Sequence, residues 1–411
     1  MSDKSVAIFN NLVNSKDYDV RKSHNARWID QKVTPDVLAF ISDCVLRFRE
    51  NGGGDVFTSH DIWDSDYARD LVMQIFKKAD PWSSKSSNEY DKFFQQPLKM
   101  LAYSGVLQEY TKGRRVYFEI SAPDVLELIQ YENNSLDFIV VYVTKVLKDS
   151  GLYEDFQSFF RYQDKDSYHH VKSAFEDFMH QYTPIKGSYE PKRLFTKVVN
   201  PLAFANNCKG TRGGAISDSI IKKYELMYNR DNFRDVKKPK GMTRKEYSAQ
   251  NPSDTYSCDY ARYMSSKAKA FVRTYNEKYN SGLSEISSAE ATSSLQIHHM
   301  FMVSECPELS YYHENLIALT PNQHMTLAHP NNNTSMTDPR YRCKCLLQKL
   351  ETIRSDEVRG IFQYDLDKFK EVLSIGFSDD TFIGIQGNDY SAIEDKIRQI
   401  CRTRYRYIEA Q

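Results

Sequence analysis

Apolar positions along the chain follow mostly a helical period, broken by a few short runs with strand character. Leu38, Phe40, Ile41, Cys44, Val45, Leu46 and Phe48 form a stripe that stops at Asn51-Gly52-Gly53-Gly54. Thr58 or Ser59 offers a capping hydroxyl for a second helix, and Phe93, Phe94, Leu98, Met100 and Leu101 mark a third over 88–103, with Pro97 a kink. Strand-like runs over 106–110 and 115–120 flank Thr111-Lys112-Gly113-Arg114, a turn in which glycine accepts positive φ at little cost. Three helices and a basic-tipped hairpin predict a winged-helix-like domain over 1–125. Residues 126–190 read as an aromatic-rich helical connector, with His169-His170 as a structural or surface pair. A further helix over 257–280 carries Tyr260, Met264, Ala268, Phe271 and Val272 at core spacing. Short strand-like runs around 295–301 and 315–319 then precede helices that close the chain over 346–411. The pattern as a whole predicts an α+β fold that is mainly helical.

The 411 residues include 40% hydrophobic and 13% aromatic side chains, enough to bury cores, which excludes a mostly disordered chain. The longest apolar run, near 138–143, falls short of the roughly 20 residues a membrane helix needs. No secretory signal is evident either, so a cytoplasmic protein with no membrane partner is expected. Seven scattered cysteines contain no CxxC pair and predict idle reduced thiols. A structural Zn²⁺ held by Cys306, Cys343, Cys345 and Cys401 is the less favoured alternative.

Charge alters this picture once its distribution is considered. The total is balanced, 55 basic against 55 acidic side chains, which argues against a polyanion partner. Residues 191–250, however, hold fourteen basic and five acidic side chains, so a +9 segment is cancelled by −9 elsewhere. Loops such as Lys209-Gly210-Thr211-Arg212-Gly213-Gly214, with neighbouring Asn and Tyr residues, suit phosphate contacts that position and polar contacts that read bases. Residues 191–290 are therefore expected to recognise double-stranded DNA through Lys209, Arg212, Lys222, Lys223, Arg230, Arg234, Lys237, Lys238, Lys240 and Arg244. Lys112 and Arg114 at the hairpin tip are expected to add contacts.

Five of the ten histidines fall between 298 and 329. His298 and His299 lie in a strand-like run, where successive side chains take opposite faces. Asn315 opens a second run, Leu316-Ile317-Ala318-Leu319. Thr320 is a good helix N-cap, Pro321 suits the first helical position, and His324 follows on that helix. Strand, loop, strand and short helix with these residues over 291–345 resembles the HNH (ββα-metal) nuclease family. The run 316–334 and the basic segment before it are more loosely similar to HNH-type type II restriction endonucleases.

The resemblance implies that His299 is the general base and that Asn315 holds the loop and orients it. It implies that His298 and His324 bind one divalent ion, Mg²⁺ in use, with Mn²⁺, Ni²⁺ or Zn²⁺ able to substitute. Family members with a third histidine ligand carry it four residues after the second, whereas here Ala328 stands there and His329 follows. On an α-helix a five-residue step misses the starting face by about 140°, so His329 is left open as a ligand. His313 is expected in the loop or at DNA, and Glu305, Glu308 and Glu314 are candidate supports. One such site cuts one strand, so a homodimer is expected, and a restriction system implies a cognate DNA methyltransferase. The alternatives are an HNH endonuclease that depends on modified bases, and a non-catalytic DNA-binding regulator with a structural zinc.

Overall fold

A computed structural model describes residues 3–76, 78, 80, 82, 87–228, 242, 258–287, 295–329, 336–361 and 363–405. The fold is mainly helical with small antiparallel sheets. It divides into two units, one over Ser5–Ser257 and the other containing Cys258–Gln411. The boundary falls inside the expected 191–290 segment and separates its first part from the helix that precedes the histidines.

The amino-terminal unit opens with α1 (Asp3–Asn14), α2 (Val20–Ser23) and α3 (Pro35–Phe48), then β1 (Val56–Phe57), α4 (Ser59–Trp63), α5 (Asp66–Phe76) and α6 (Ser87–Tyr103). Thr58 is the cap of α4: its hydroxyl accepts from the Asp61 amide and the Asp61 carboxylate accepts from the Thr58 amide. The expected hairpin forms as β2 (Leu107–Lys112) and β3 (Arg115–Ile120), with Lys112 opposite Arg115 and Gly113 at φ 66°. The two-residue strand β1, too short for its periodicity to be read, pairs with β3 and completes a β1-β3-β2 sheet. Phe40, Phe93 and Phe94 pack together beneath it.

Helices α7 (Pro123–Ile129), α8 (Glu132–Asp149), α9 (Tyr153–Tyr162), α10 (Lys165–Tyr182) and α11 (Tyr189–Ala205) form the helical part of the same unit. Within it, His170 is exposed and pairs with Asp155 at 2.9 Å, as a surface residue does. The strands β4 (Lys209–Arg212) and β5 (Ala215–Ile220) make a second hairpin, packed on α11. Asn200 of α11 holds it: the Asn200 carboxamide donates to the Thr211 carbonyl at 3.1 Å and accepts from the Thr211 amide at 2.8 Å. Gly210 lies so close to Asn200 and Ile221 that no side chain fits.

In the carboxy-terminal unit, α12 (Cys258–Tyr279) packs against β6 (Gln296–His299) and β7 (Leu316–Leu319), which pair antiparallel with His298 opposite Ile317. A π-helical turn over Gln323–Ala328 follows, then α13 (Pro339–Val358), α14 (Leu366–Phe377) and α15 (Tyr390–Tyr405). Glu285 donates its amide to the Ala318 carbonyl, accepts from the Ala318 amide, and pairs with the fully buried Lys349 at 2.7 Å. The segment before β6 is thereby tied to both β7 and α13. The reduced-thiol expectation is corrected for two cysteines, because Cys343 and Cys401 form a disulfide that joins α13 to α15. It also removes both from the four-cysteine zinc alternative. Among the described residues, no helix is long and apolar enough to cross a membrane.

Candidate metal centre and active site

Local chemistry builds the ββα frame as the sequence predicts. Thr320 accepts from the Gln323 amide at 3.2 Å, while the Gln323 carboxamide accepts from the Thr320 amide at 2.9 Å and donates to the Ile286 carbonyl at 3.0 Å. This reciprocal cap fixes the start of the helical turn and ties it to the chain that leads into β6. Asn315 is fully buried and clasps the connecting loop from within. Its carboxamide donates to the carbonyls of Phe301 and Leu309, at 2.9 and 3.1 Å, and accepts from the Phe301 amide at 2.9 Å. Phe301 is itself seated on α14, where its ring lies so close to Gly376 that only glycine fits.

His298, His324 and His329 converge, with one candidate ligand atom from each lying within 4.8 Å of the others. The five-residue spacing of His324 and His329, unfavourable on an α-helix and left open by the sequence, does not keep them apart. The turn is π-helical, so its i→i+5 bonding returns the fifth residue toward the starting side. His329 then leaves the turn in extended conformation, at φ −115° and ψ 94°. His329 Nδ1 lies 2.7 Å from the Met336 carbonyl, which as acceptor places the proton on Nδ1 and leaves Nε2 for a metal. His298 Nε2 and His324 Nδ1 are buried without a hydrogen-bond partner. Two orphaned nitrogens and a third freed by its carbonyl are what an imidazole-bound cation would satisfy, so the residues fit a metal. Burial, with the neighbouring histidines adding to it, holds His298 well below the usual imidazole range. Burial likewise draws His324 down to about 4. Both are therefore neutral near pH 7, the form that ligates.

His299 lies one residue from His298 but has a different partner. Its Nε2 donates to the Ser310 carbonyl at 2.9 Å, which leaves the Nδ1 lone pair as the basic nitrogen. Burial lowers its pKa to about 4, so it too is neutral near pH 7. The Ser310 carbonyl follows Leu309, which Asn315 grips, so the clasp that shapes the loop also sets the acceptor that orients His299. The three metal-site histidines and His299 share one cavity of about 260 Å³ with Lys269, Met302, Val303 and Ser304.

Lys269 was missed by sequence reasoning, which assigned its helix to core packing. Its only signal is position: Ser265 and Lys269 stand one turn apart on α12, just off the buried stripe of Met264, Ala268 and Val272. The candidate acids do not reach the cavity. Glu305 pairs with Arg342 at 2.9 Å, Glu308 does not line the site, and Glu314 is buried, accepting from the Asp365 amide. His313 lies in the connecting loop, and its ring stacks on Phe271 with centroids 3.9 Å apart.

This pair gives a pH expectation. Burial lowers His313 to about 3 and raises Glu314 to about 7. The His313 contribution to stability is complete above its unfolded value near 6.5 and is lost as pH falls toward 3. The Glu314 contribution is complete below 4.5 and is lost as pH rises through 7. The two oppose and nearly cancel between 4.5 and 6.5, so the parent slope there is set by the other titrating groups, among them His298, His299 and His324. Without the histidine, His313→Phe is expected to lose less stability than the parent as pH falls from 6.5 to 4.5, the two slopes differing by about 1.4 kcal/mol per pH unit. Denaturant melts across this range test it, and parallel slopes would refute the assignment.

The expected DNA-contact residues divide into distinct groups. Lys112, Arg114 and Lys222 are exposed and Lys209 is half-buried, whereas two others spend their charge internally. Arg212 forms a bidentate pair with buried Glu225 at 2.5 and 2.6 Å. Lys223 pairs with buried Glu132 and also bonds Asn133. Arg230, Arg234, Lys237, Lys238, Lys240 and Arg244 lie outside the described residues. Arg212→Ala is thus expected to lower stability by about 1–3 kcal/mol by orphaning Glu225, while DNA affinity stays unchanged. A loss of affinity at unchanged melting temperature would reverse that assignment.

Searches of protein-family models, curated proteins and solved structures return no match to this chain.

Proposed function

We propose that the chain is a metal-dependent endonuclease of the ββα-metal type that acts on double-stranded DNA. One observation carries this reading: His298, His324 and His329 bring one candidate ligand atom each within 4.8 Å of the others, in the cavity that His299 shares with its Nε2 held by the Ser310 carbonyl. His298, His324 and His329 would hold the ion, which would supply charge neutralisation at the phosphate and at the departing 3′ oxygen. His299 Nδ1 takes a proton from water as the water oxygen bonds to phosphorus, and the bond from phosphorus to the 3′ oxygen breaks. Asn315 keeps His299 aimed by holding the loop that carries the Ser310 carbonyl. Among the described residues no carboxylate joins the donors, so Zn²⁺, Ni²⁺ or Mn²⁺ is favoured for binding over Mg²⁺, which prefers oxygen ligands and needs phosphate and water to complete its shell.

A purely structural zinc is the weaker reading, since three imidazoles leave one position of a tetrahedral ion open toward the cavity. If α3, β1, α4 to α6, and β2 with β3 act as a winged helix, the exposed Lys112 and Arg114 at the hairpin tip would contact DNA. The half-buried Lys209 and the exposed Lys222 are further contact candidates, and a homodimer would cut both strands. Incubating the full chain with phage DNA and Mg²⁺ or Mn²⁺, then sequencing the ends, tests the proposal. A consensus at the cuts is expected for a restriction enzyme and a smear for a non-specific nuclease; intact DNA with every metal would overturn the reading. Parallel digests of methylated and unmethylated plasmid distinguish ordinary restriction from dependence on modified bases.

A further inference from the structure

Among the described residues, Lys269 is the one lysine or arginine in the cavity, and no aspartate or glutamate lines it. Among the described residues no hydrogen bond or ion pair holds its ammonium. A cation drawn partly out of water without a counter-charge is costly unless an anion supplies one. Ser265, one turn earlier on α12, brings its hydroxyl within 3.5 Å of His299 Nε2, so this helix face lies against the His299 ring. The three histidines come from β6 and the π-helical turn, whereas Lys269 comes from α12. A phosphate bound in the cavity is therefore approached from two separate elements.

We propose that Lys269 is a catalytic residue that binds the scissile phosphate, its Nζ donating to a non-bridging oxygen of the group whose charge an ion held by the three histidines would also neutralise. The proposal rests on the nuclease reading. Charge on the non-bridging oxygens grows as water adds to phosphorus, so a donor fixed at that point stabilises the transition state more than the ground state. The lysine keeps its protons; the water proton goes to His299 and the departing 3′ oxygen is protonated by solvent.

Lys269→Met keeps the aliphatic stem and removes the charge, and Lys269→Arg restores it. Both variants are expected to bind Co²⁺ as the parent does, seen in its visible absorption, because neither touches a ligand. Loading with Co²⁺ and titrating with inorganic phosphate is expected to show about 10- to 100-fold weaker phosphate binding for Lys269→Met, with most of the affinity recovered in Lys269→Arg. On plasmid DNA, Lys269→Met is expected to lose about 10²–10³ in kcat with a smaller change in KM. Unchanged phosphate affinity in Lys269→Met overturns the proposal. So does loss of Co²⁺ binding, which makes the lysine a support of the metal centre. If the parent protein cuts no DNA, the nuclease reading fails, and the phosphate titration still decides whether Lys269 is an anion site.

Discussion

Replacing His299 by alanine is expected to reduce DNA cleavage by about 10²–10⁴-fold, the range a positioned general base contributes. DNA affinity and metal content should remain as in the parent. The expectation depends on a division of labour between adjacent residues. His298 faces two other imidazoles, while His299 donates to the Ser310 carbonyl and keeps Nδ1 free. Because burial already holds His299 near pKa 4, the base is unprotonated throughout the neutral range, and the residual activity of the variant should rise with hydroxide concentration. Nicking of supercoiled plasmid from pH 6 to 9, alongside gel-shift binding, gives both readouts. Undiminished cleavage by purified His299→Ala would falsify the role.

The second large effect is expected at the metal. His298→Ala removes the most buried of the three imidazoles, at 2% exposure, and should weaken Co²⁺ or Zn²⁺ binding by more than about 100-fold, beyond what loss of a supporting partner costs. Cleavage should fall with it. Because the site lies at the surface of a small sheet held by the Asn315 clasp and the Glu285 and Lys349 pair, the apo protein should stay folded and excess Mn²⁺ should restore part of the activity. A regulator with a structural zinc behaves differently: chelation would unfold the unit. Calorimetric titration of the metal, with circular dichroism before and after chelation, separates the two. His329→Ala is the informative companion. A loss of affinity comparable to that of His298→Ala supports three ligands, and near-parental affinity supports two.

What could be read from the sequence was what neighbouring residues decide among themselves. Alternation over 295–301 and the run over 316–319 mark the two strands, and Thr320 with Pro321 marks the helical start that the Gln323 cap completes. Glycine at 113 marks the first hairpin. Backbone preference, capping and side-chain alternation act over a few residues, so such features are legible in a linear string, as are the identities of His298, His299, His324 and Asn315. Relations set by tertiary packing were not. Thr320 and Gln323 bind the turn to Ile286, and the turn that follows is π-helical, which brings His329 to the centre despite an unfavourable α-helical spacing. Lys269 reaches the cavity only because α12 packs on β6 and β7. Arg212, conspicuous in a basic run, is matched to Glu225 thirteen residues on, and Cys343 bonds Cys401 rather than its neighbour Cys345. The sequence by itself determined which chemical groups are present and the local elements that carry them. Their convergence depends on long-range packing, in which distant residues meet only after the intervening chain has paid its conformational entropy, and that only the tertiary structure decided.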